Sequence, residues 1–293
     1  MPKLSERVEA QVVSLAWDCW SMLGVSSWNR GSIKRVIDPE GLVLLTGGLG
    51  KADPRLRQES QDWCLQYPWL LSRARLRTLR KSWPTSESWG RYAGALQASL
   101  GQPWPGAVVS EGVKETGKST LRLGKQAALL SLQLRAVFGV GARTEILRVL
   151  LENKRPLTAA EMARQAAYAK RSVAESLQGL TASGVVSTYP EGRRMRYALK
   201  NPQALTELLG GMEVGRASML PYFKALARLM QELGRVEDAP AELRSLEARP
   251  LLTALVHDLG DAAVGRLEIP AAGEDAWVLL HASVERWLLG QAG

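Results

Sequence analysis

Apolar residues recur every three or four positions through most of the chain, and this period predicts a mainly helical protein. The first such segment covers residues 5–24, where Val13, Trp17 and Trp20 share one face and Gly24 stands where a helix would end. We expect both tryptophans to pack in a core.

Two Asp-Pro pairs mark further helix starts, because aspartate caps a helix and proline suits its first turn. The pair at Asp38 opens IDPEGLVLLTGGLG, which begins with a helical pattern and is expected to dissolve at its glycines. The pair at Asp53 is followed by another helix.

The segment SRARLRTLRKSW separates leucines from cations on a helix. Two interpretations stay open for this basic face: a solvated surface, or contact with the DNA backbone. A further helix is expected over residues 85–100, with Thr85 or Ser86 as its cap. The cations of the basic face are Arg73, Arg77, Arg80 and Lys81.

Residues 142–200 carry the clearest pattern. ARTEILRVLLEN predicts a helix that Asn153 and Pro156 end, and Thr158 with Glu161 forms a capping box for a second helix. A short AYA turn leads to a third helix, with Val173, Leu177 and Leu180 inward and Gly184 at its end. VVSTYP, the turn EGRR and MRYALK then alternate as a two-stranded hairpin.

Three helices and a hairpin in this order resemble the winged helix-turn-helix domains of ArsR-like and MarR-like bacterial transcription regulators. The resemblance covers about a fifth of the chain and depends on the runs LTAAEMA and L-x-x-L-x-x-x-G-V-V. The expected fold is mainly α, with a central winged helix-turn-helix and its β-hairpin wing flanked by helical domains. Its predicted segments are a Trp-rich N-terminal domain (1–104), a Gly/Lys linker (105–124), the DNA-binding domain with its lead-in helix (125–200) and a C-terminal helical domain (201–293).

A helix-turn-helix places its recognition helix in the major groove. With the apolar stripe inward, the 100° step puts Arg171, Glu175 and Gln178 on the opposite face, where they are expected to contact base edges. Ala169 offers no side-chain cap for this helix. Lys170 and Ser172 are expected to contact phosphate. The wing residues Arg193, Arg194 and Arg196 are expected to contact phosphate or the minor groove, with a solvated hairpin tip as the alternative.

The charge distribution agrees with a nucleic-acid partner. The net charge is +9, and residues 135–200 carry 12 Lys/Arg against 5 Asp/Glu, whereas residues 201–293 carry 8 against 13. A basic middle followed by an acidic end is typical of nucleic-acid-binding chains.

One enzyme motif competes with this interpretation. GVKETGKS, residues 112–119, satisfies the phosphate-binding pattern G-x-x-x-x-G-K-[ST]. A P-loop needs a buried strand before it and a helix after it, but only AVVS precedes this match and Gly124 interrupts any helix after it. We expect a flexible basic linker, with Lys114 and Lys118 available to DNA phosphate, and no enzyme.

Other chemistry is not expected. Cys19 and Cys64 form no metal-type cluster with His257 and His281, so the thiols are expected to be buried and reduced, with no metal and no cofactor. The N-terminus lacks a signal peptide pattern and no run of about 18 apolar residues occurs, which indicates a cytoplasmic protein without a membrane span.

The expected function is sequence-specific binding of double-stranded DNA as a transcriptional regulator, a repressor and a homodimer. The lead-in LRAVFGVGAR and the Asp-Pro helices also resemble bacterial proteins found with nucleotidyltransferase toxin-antitoxin or defence modules. That resemblance implies an antitoxin-like regulator with a partner protein, and an interaction module that uses no DNA is the alternative.

Overall fold

A computed structural model describes residues 2–26, 33–84, 86–121, 123–212, 217–260, 267, 269–271 and 273–290. In this part of the chain there are thirteen α-helices and one small antiparallel sheet of three strands. The prediction of a mainly helical protein with a small β element is confirmed.

Five helices form the first part of the fold. They are α1 (Leu4–Met22), α2 (Pro39–Gly48), α3 (Pro54–Gln66), α4 (Arg73–Arg80) and α5 (Glu87–Leu100). Asp38, Asp53, Ser72 and Ser86 each accept a hydrogen bond from a first-turn backbone N–H, so the predicted Asp-Pro starts are confirmed. Thr85, the other expected cap, lies outside the described residues.

The expectation that α2 would dissolve at its glycines is wrong. The helix continues through Gly47 and Gly48, and nearly all of it is buried. A Cβ on Gly47 would lie 2.6 Å from the Trp89 ring, so the glycine allows α5 to pack closely. Tertiary packing outweighs the weak helix propensity of glycine here.

Eight further helices and the sheet complete the fold. The middle of the chain contains α6 (Leu130–Phe138), α7 (Ala142–Glu152), β1 (Leu157–Thr158), α8 (Ala159–Ala166), α9 (Lys170–Ala182), β2 (Val186–Glu191) and β3 (Arg194–Leu199). The last part contains α10 (Pro202–Leu208), α11 (Leu220–Glu237), α12 (Ala241–Leu259) and α13 (Ala276–Gly290). The three helices expected within residues 142–200, the first ending before Asn153, the second starting after Thr158 and the third ending before Gly184, are confirmed.

Two apolar clusters form the interior. The larger joins α1–α5 to α11–α13, with Trp20 and Trp63 fully buried and packed edge to face at 5.4 Å between ring centroids. The smaller is formed mainly by residues 130–212. The first and last parts of the chain therefore share one core, although the predicted domain boundaries themselves stay a prediction.

The smaller cluster belongs to a unit of α7, β1, α8, α9, β2 and β3, here called the α7–β3 unit. Its sheet has the order β1-β3-β2, with Leu157 opposite Tyr197 and Val186 opposite Leu199. The hairpin was expected, but the two-residue strand β1, which leads straight into α8, was missed because it is too short to show alternation.

The GVKETGKS motif lies in an extended strap, residues 106–121, that crosses α3 and α5. The backbone N–H groups of Thr116 and Gly117 donate to Oδ1 of Asp62, and Ser119 O accepts from Gln66 and Tyr67. The expected flexible tether is therefore replaced by a hydrogen-bonded strap. Neither strand nor helix occurs within residues 106–121, and the motif's amides bind a carboxylate of the same chain.

The two cysteines are free and buried, as expected. Burial raises the pKa of the Cys64 thiol to about 12. Within the described residues, no helix combines the length and apolar character needed to cross a membrane, and no group of His, Cys, Asp and Glu side chains is arranged to hold a metal ion.

Candidate nucleic-acid interface

The start of α8 is fixed by its capping box. Thr158 Oγ1 accepts from Glu161 N at 3.3 Å, while the Glu161 carboxylate accepts from Thr158 N at 2.7 Å. This backbone hydrogen bond, together with the one from the Thr158 hydroxyl, lowers the pKa of Glu161 to about 2. The sequence prediction of this cap is confirmed.

The connection between α8 and α9 is a three-residue turn. Ala167 has φ of +54°, the one positive φ at a non-glycine residue in the described part of the chain. The left-handed conformation ends α8 sharply and turns the backbone into α9. Ala169, at the start of α9, makes no side-chain cap, as the sequence indicated.

Helix α9 has an apolar inner face and a polar outer face. Val173, Leu177 and Leu180 are buried in the smaller core, as predicted. On the outer side, Arg171 is 90% exposed and its Nε donates to Oε1 of Glu175 at 2.9 Å. Of the remaining predicted contacts on this helix, Lys170 and Gln178 are exposed and Ser172 is half-buried.

The three predicted wing arginines differ in their surroundings. Arg193 and Arg194 are exposed at the tip of the β2–β3 hairpin. Arg196 is only 26% exposed, because its Nε donates to Glu191 at 2.5 Å and its Nη1 to Pro156 O at 3.1 Å. Arg196 therefore holds the sheet together, while the side chains of the other two donate no hydrogen bond to a described residue.

Behind this surface, seven charged side chains form a buried cluster, here called the ionic network. Arg75 of α4 lies at its centre, pairing with Asp38 and donating from Nη1 to Oε2 of Glu40 at 2.5 Å. Its Nε also donates to Ala166 O at 2.8 Å, at the end of α8. The members are Asp38, Glu40, Arg75, Arg135, Glu145, Arg148 and Glu152.

The network continues through Arg135 of α6 into α7. Arg135 donates to Glu40 at 2.7 Å and to Glu145 at 2.6 Å, and the other oxygen of Glu145 accepts from Arg148 Nε at 2.8 Å. Arg148 also pairs with Glu152 at 2.7 Å. All seven side chains are at most 4% exposed, so charge compensation among them is what makes their burial tolerable.

The pKa values in the network follow from this compensation. Burial alone would raise the pKa of Asp38, but Arg75 outweighs it and lowers the pKa below its usual value. Burial is likewise outweighed at Glu145, where Arg135, Arg75 and Arg148 hold the pKa far below its usual range. At Glu152 burial prevails over Arg148 and the pKa is raised.

The sequence pattern predicted only Asp38 of this network, and only as a helix cap. A signal was present on α7, where Glu145, Arg148 and Glu152 follow at i, i+3 and i+7 beside the apolar stripe. Arg75 lies between two exposed arginines, so periodicity gave no sign of its burial.

Comparison of the chain with known protein families, with curated proteins and with solved structures gives no match in any of the three. The function is therefore inferred from the geometry of this surface.

Proposed function

We propose that this protein binds double-stranded DNA through the α7–β3 unit, acting as a winged helix-turn-helix with α9 as recognition helix and the β2–β3 hairpin as wing. The order of helices and strands, the tight turn at Ala167 and the net positive charge of residues 135–200 support the proposal. A sheet in the order β1-β3-β2 beside the recognition helix agrees with it.

One observation carries the proposal. The outer face of α9 exposes Lys170, Arg171, Glu175 and Gln178 while the inner face is fully anchored in the core. Such a face is rigid, polar and uncovered, and it can enter a major groove about 12 Å wide.

The side chains suggest how bases are distinguished. Arg171 suits the O6 and N7 acceptors of guanine, and Gln178 suits adenine. Glu175 already accepts from Arg171, so it orients the guanidinium before DNA binds and remains available to the N4 donor of cytosine. Lys170 and Ser172, at the start of the helix, are suited to phosphate.

At the wing, Arg193 and Arg194 are the proposed contacts to phosphate or the minor groove. Arg196 would have to break its ion pair with Glu191 to reach DNA, so its proposed role is to stabilise the sheet of the wing.

Selection from a random duplex library, followed by binding titrations, tests this function. Arg171→Ala is expected to weaken binding to the selected site by about 1–3 kcal/mol and to relax preference at one base pair. Arg91→Ala, which removes an exposed arginine on α5 away from both proposed surfaces, is the matched control. Failure of the wild type to select any sequence, or unchanged preference in Arg171→Ala, would overturn the proposal.

A second proposed property is self-association through α12 and α13. Ser245 Oγ accepts from Ala276 N at 2.9 Å, which brings the starts of the two helices together. Leu243, Leu246 and Val278 are 50%, 66% and 58% exposed there. A homodimer would cover these side chains and present two recognition helices to a palindromic operator. Binding through two units gives the DNA affinity that a repressor needs, because one small unit contacts too little DNA to bind tightly.

Sedimentation equilibrium of the wild type and of Leu246→Glu tests the dimer. The wild type is expected to dimerise and the variant to be a monomer that retains its fold. A partner protein on this surface, as in an antitoxin-like regulator, is the alternative: the wild type would then be monomeric and would form a complex with the product of a neighbouring gene that Leu246→Glu abolishes.

A further inference from the structure

A second basic surface lies beside the turn that joins α8 to α9. It is formed by Arg73 and Arg77 on the outer face of α4 and by Lys81 directly after the helix, and is here called the α4 basic face. All three side chains are exposed, and residues 71–84 contain no acidic residue. None of the three forms a salt bridge with any described residue.

Buried contacts fix α4 against the α8–α9 turn. Ser72, the N-cap of α4, is hydrogen-bonded through its hydroxyl to the Tyr168 hydroxyl at 2.6 Å. Arg75 donates to Ala166 O at 2.8 Å, and the same guanidinium is held by two carboxylates of the ionic network. The start of α4 is thus attached to the residues immediately before the recognition helix.

The simplest interpretation of such a face is a solvated surface. Two facts favour a ligand. The cations are not neutralised by neighbouring carboxylates, unlike Arg228 and Arg235 of α11. A costly buried ion cluster also joins the helix that carries them to the α8–α9 turn, in addition to the apolar packing of that helix. A solvated face needs neither arrangement.

We propose that the α4 basic face binds the phosphate backbone of the same duplex that α9 reads, at phosphates that flank the recognised site. The inference rests on the proposed DNA-binding function and extends it: an element outside the α7–β3 unit supplies sequence-independent affinity. Arg75, buried at the junction, is a positioning residue that sets the angle between the two surfaces.

The spacing suits a nucleic-acid backbone. Arg73, Arg77 and Lys81 follow at i, i+4 and i+8, so they lie along one side of the helix. With a rise of 1.5 Å per residue they span about 12 Å, a length that covers about two or three successive phosphates of one strand. Contacts of this kind position the protein and carry no sequence information.

The salt dependence of binding should carry a specific signature. Each phosphate contact releases counterions, so the slope of log Kd against log salt falls by about 0.9 for every phosphate contact that is removed. Replacing Arg73 and Arg77 by Gln should lower the slope by about 1.8 and weaken binding by the same factor on every sequence. Arg→Lys at both positions keeps the charge and should retain most of the slope.

The test measures binding of the full chain to its selected site at several salt concentrations. Two duplexes are compared: a short one that ends at the site, and a long one that is extended at each end by about 10 base pairs, which is one helical turn. The Gln variant should lose slope on the long duplex and much less on the short one. Lys51→Gln with Arg91→Gln removes two exposed cations elsewhere and should leave the slope unchanged.

The outcomes separate the two proposals. If the wild type binds the long duplex with its sequence preference but the Arg73/Arg77 Gln variant keeps the full slope, the α4 inference is wrong and the DNA-binding function stands. An equal loss in the Lys51/Arg91 variant would also refute it, because the effect would be one of total charge. If the wild type selects no DNA sequence at all, the proposed function itself fails.

Discussion

Neutralising Glu145 should be the most damaging conservative change in the ionic network. Glu145→Gln keeps the size of the side chain but removes the negative charge that three guanidinium groups share. Those groups are Arg135 at 2.6 Å, Arg148 at 2.8 Å and Arg75 at 3.8 Å, and the Glu145 side chain is 2% exposed. An amide NH₂ would also face an arginine N–H donor where an oxygen now accepts.

Removing one partner from a buried ion pair costs about 3–5 kcal/mol, because an uncompensated charge is left without water. Folded domains are stable by only about 5–15 kcal/mol, so this loss is a large share of the total. Glu247→Gln makes the same substitution in the Arg235–Glu247 pair, whose side chains are 62% and 39% exposed. That control should cost no more than about 1 kcal/mol.

Urea unfolding monitored by two probes measures the effect. All ten tryptophans lie outside residues 125–200, so fluorescence follows the larger core, while far-UV circular dichroism follows every helix. Because the network joins the two cores, Glu145→Gln should shift both transitions and separate them. The reasoning would be refuted if the two transitions coincide and Glu145→Gln loses no more unfolding free energy than Glu247→Gln does.

Acid should destabilise the protein through Glu145 and Asp38. The pKa of Glu145 lies below its ordinary value of 4.5 and that of Asp38 below 3.8, so both stabilise the fold above these values and lose that contribution as pH falls through and below them. Glu152, with a raised pKa, works in the opposite direction. Stability should fall below about pH 4.5 in the wild type and fall less steeply in Glu145→Gln.

Three other changes follow from local geometry. Gly24→Ala should destabilise the protein by more than about 1 kcal/mol in urea unfolding, because a Cβ would lie 2.1 Å from Thr120 O at a φ of +97°; an unchanged midpoint would contradict the close approach of the strap. Thr158→Ala should cost about 1 kcal/mol by loss of the α8 cap, and Thr158→Ser should restore most of it. Asp62→Ala should free the strap and speed its cleavage by trypsin at Lys118. In calorimetry, ATP should bind neither the wild type nor Lys118→Ala. Saturable ATP binding by the wild type that disappears in Lys118→Ala would show that the motif is a working P-loop.

Local patterns were sufficient for most helices. The caps at Asp38, Asp53 and Thr158, the stop after α7 and the hairpin could be predicted because each depends on residues within one or two turns. The outer face of α9 was predictable for the same reason, since three buried side chains fix the orientation of a helix. Contacts between distant residues could not be predicted in this way.

The failures share a physical origin. The helix α2 persists through glycines because surrounding helices bury it, and the strap is ordered because Asp62 and Tyr67, more than 50 positions away, bind its backbone. Neither partner is visible in a local window, so local propensity predicted a break and a flexible tether.

The amino-acid sequence by itself determined most of the helices, several of their caps and the exposed polar face of α9, because those depend on short-range periodicity and hydrogen bonding. Tertiary structure alone decided that Arg75 is buried, that Arg196 is engaged in the sheet and that α4 lies beside the α8–α9 turn. A charged side chain becomes a surface contact or a core ion pair according to which carboxylates the fold brings to it, and those carboxylates come from helices far apart in the chain.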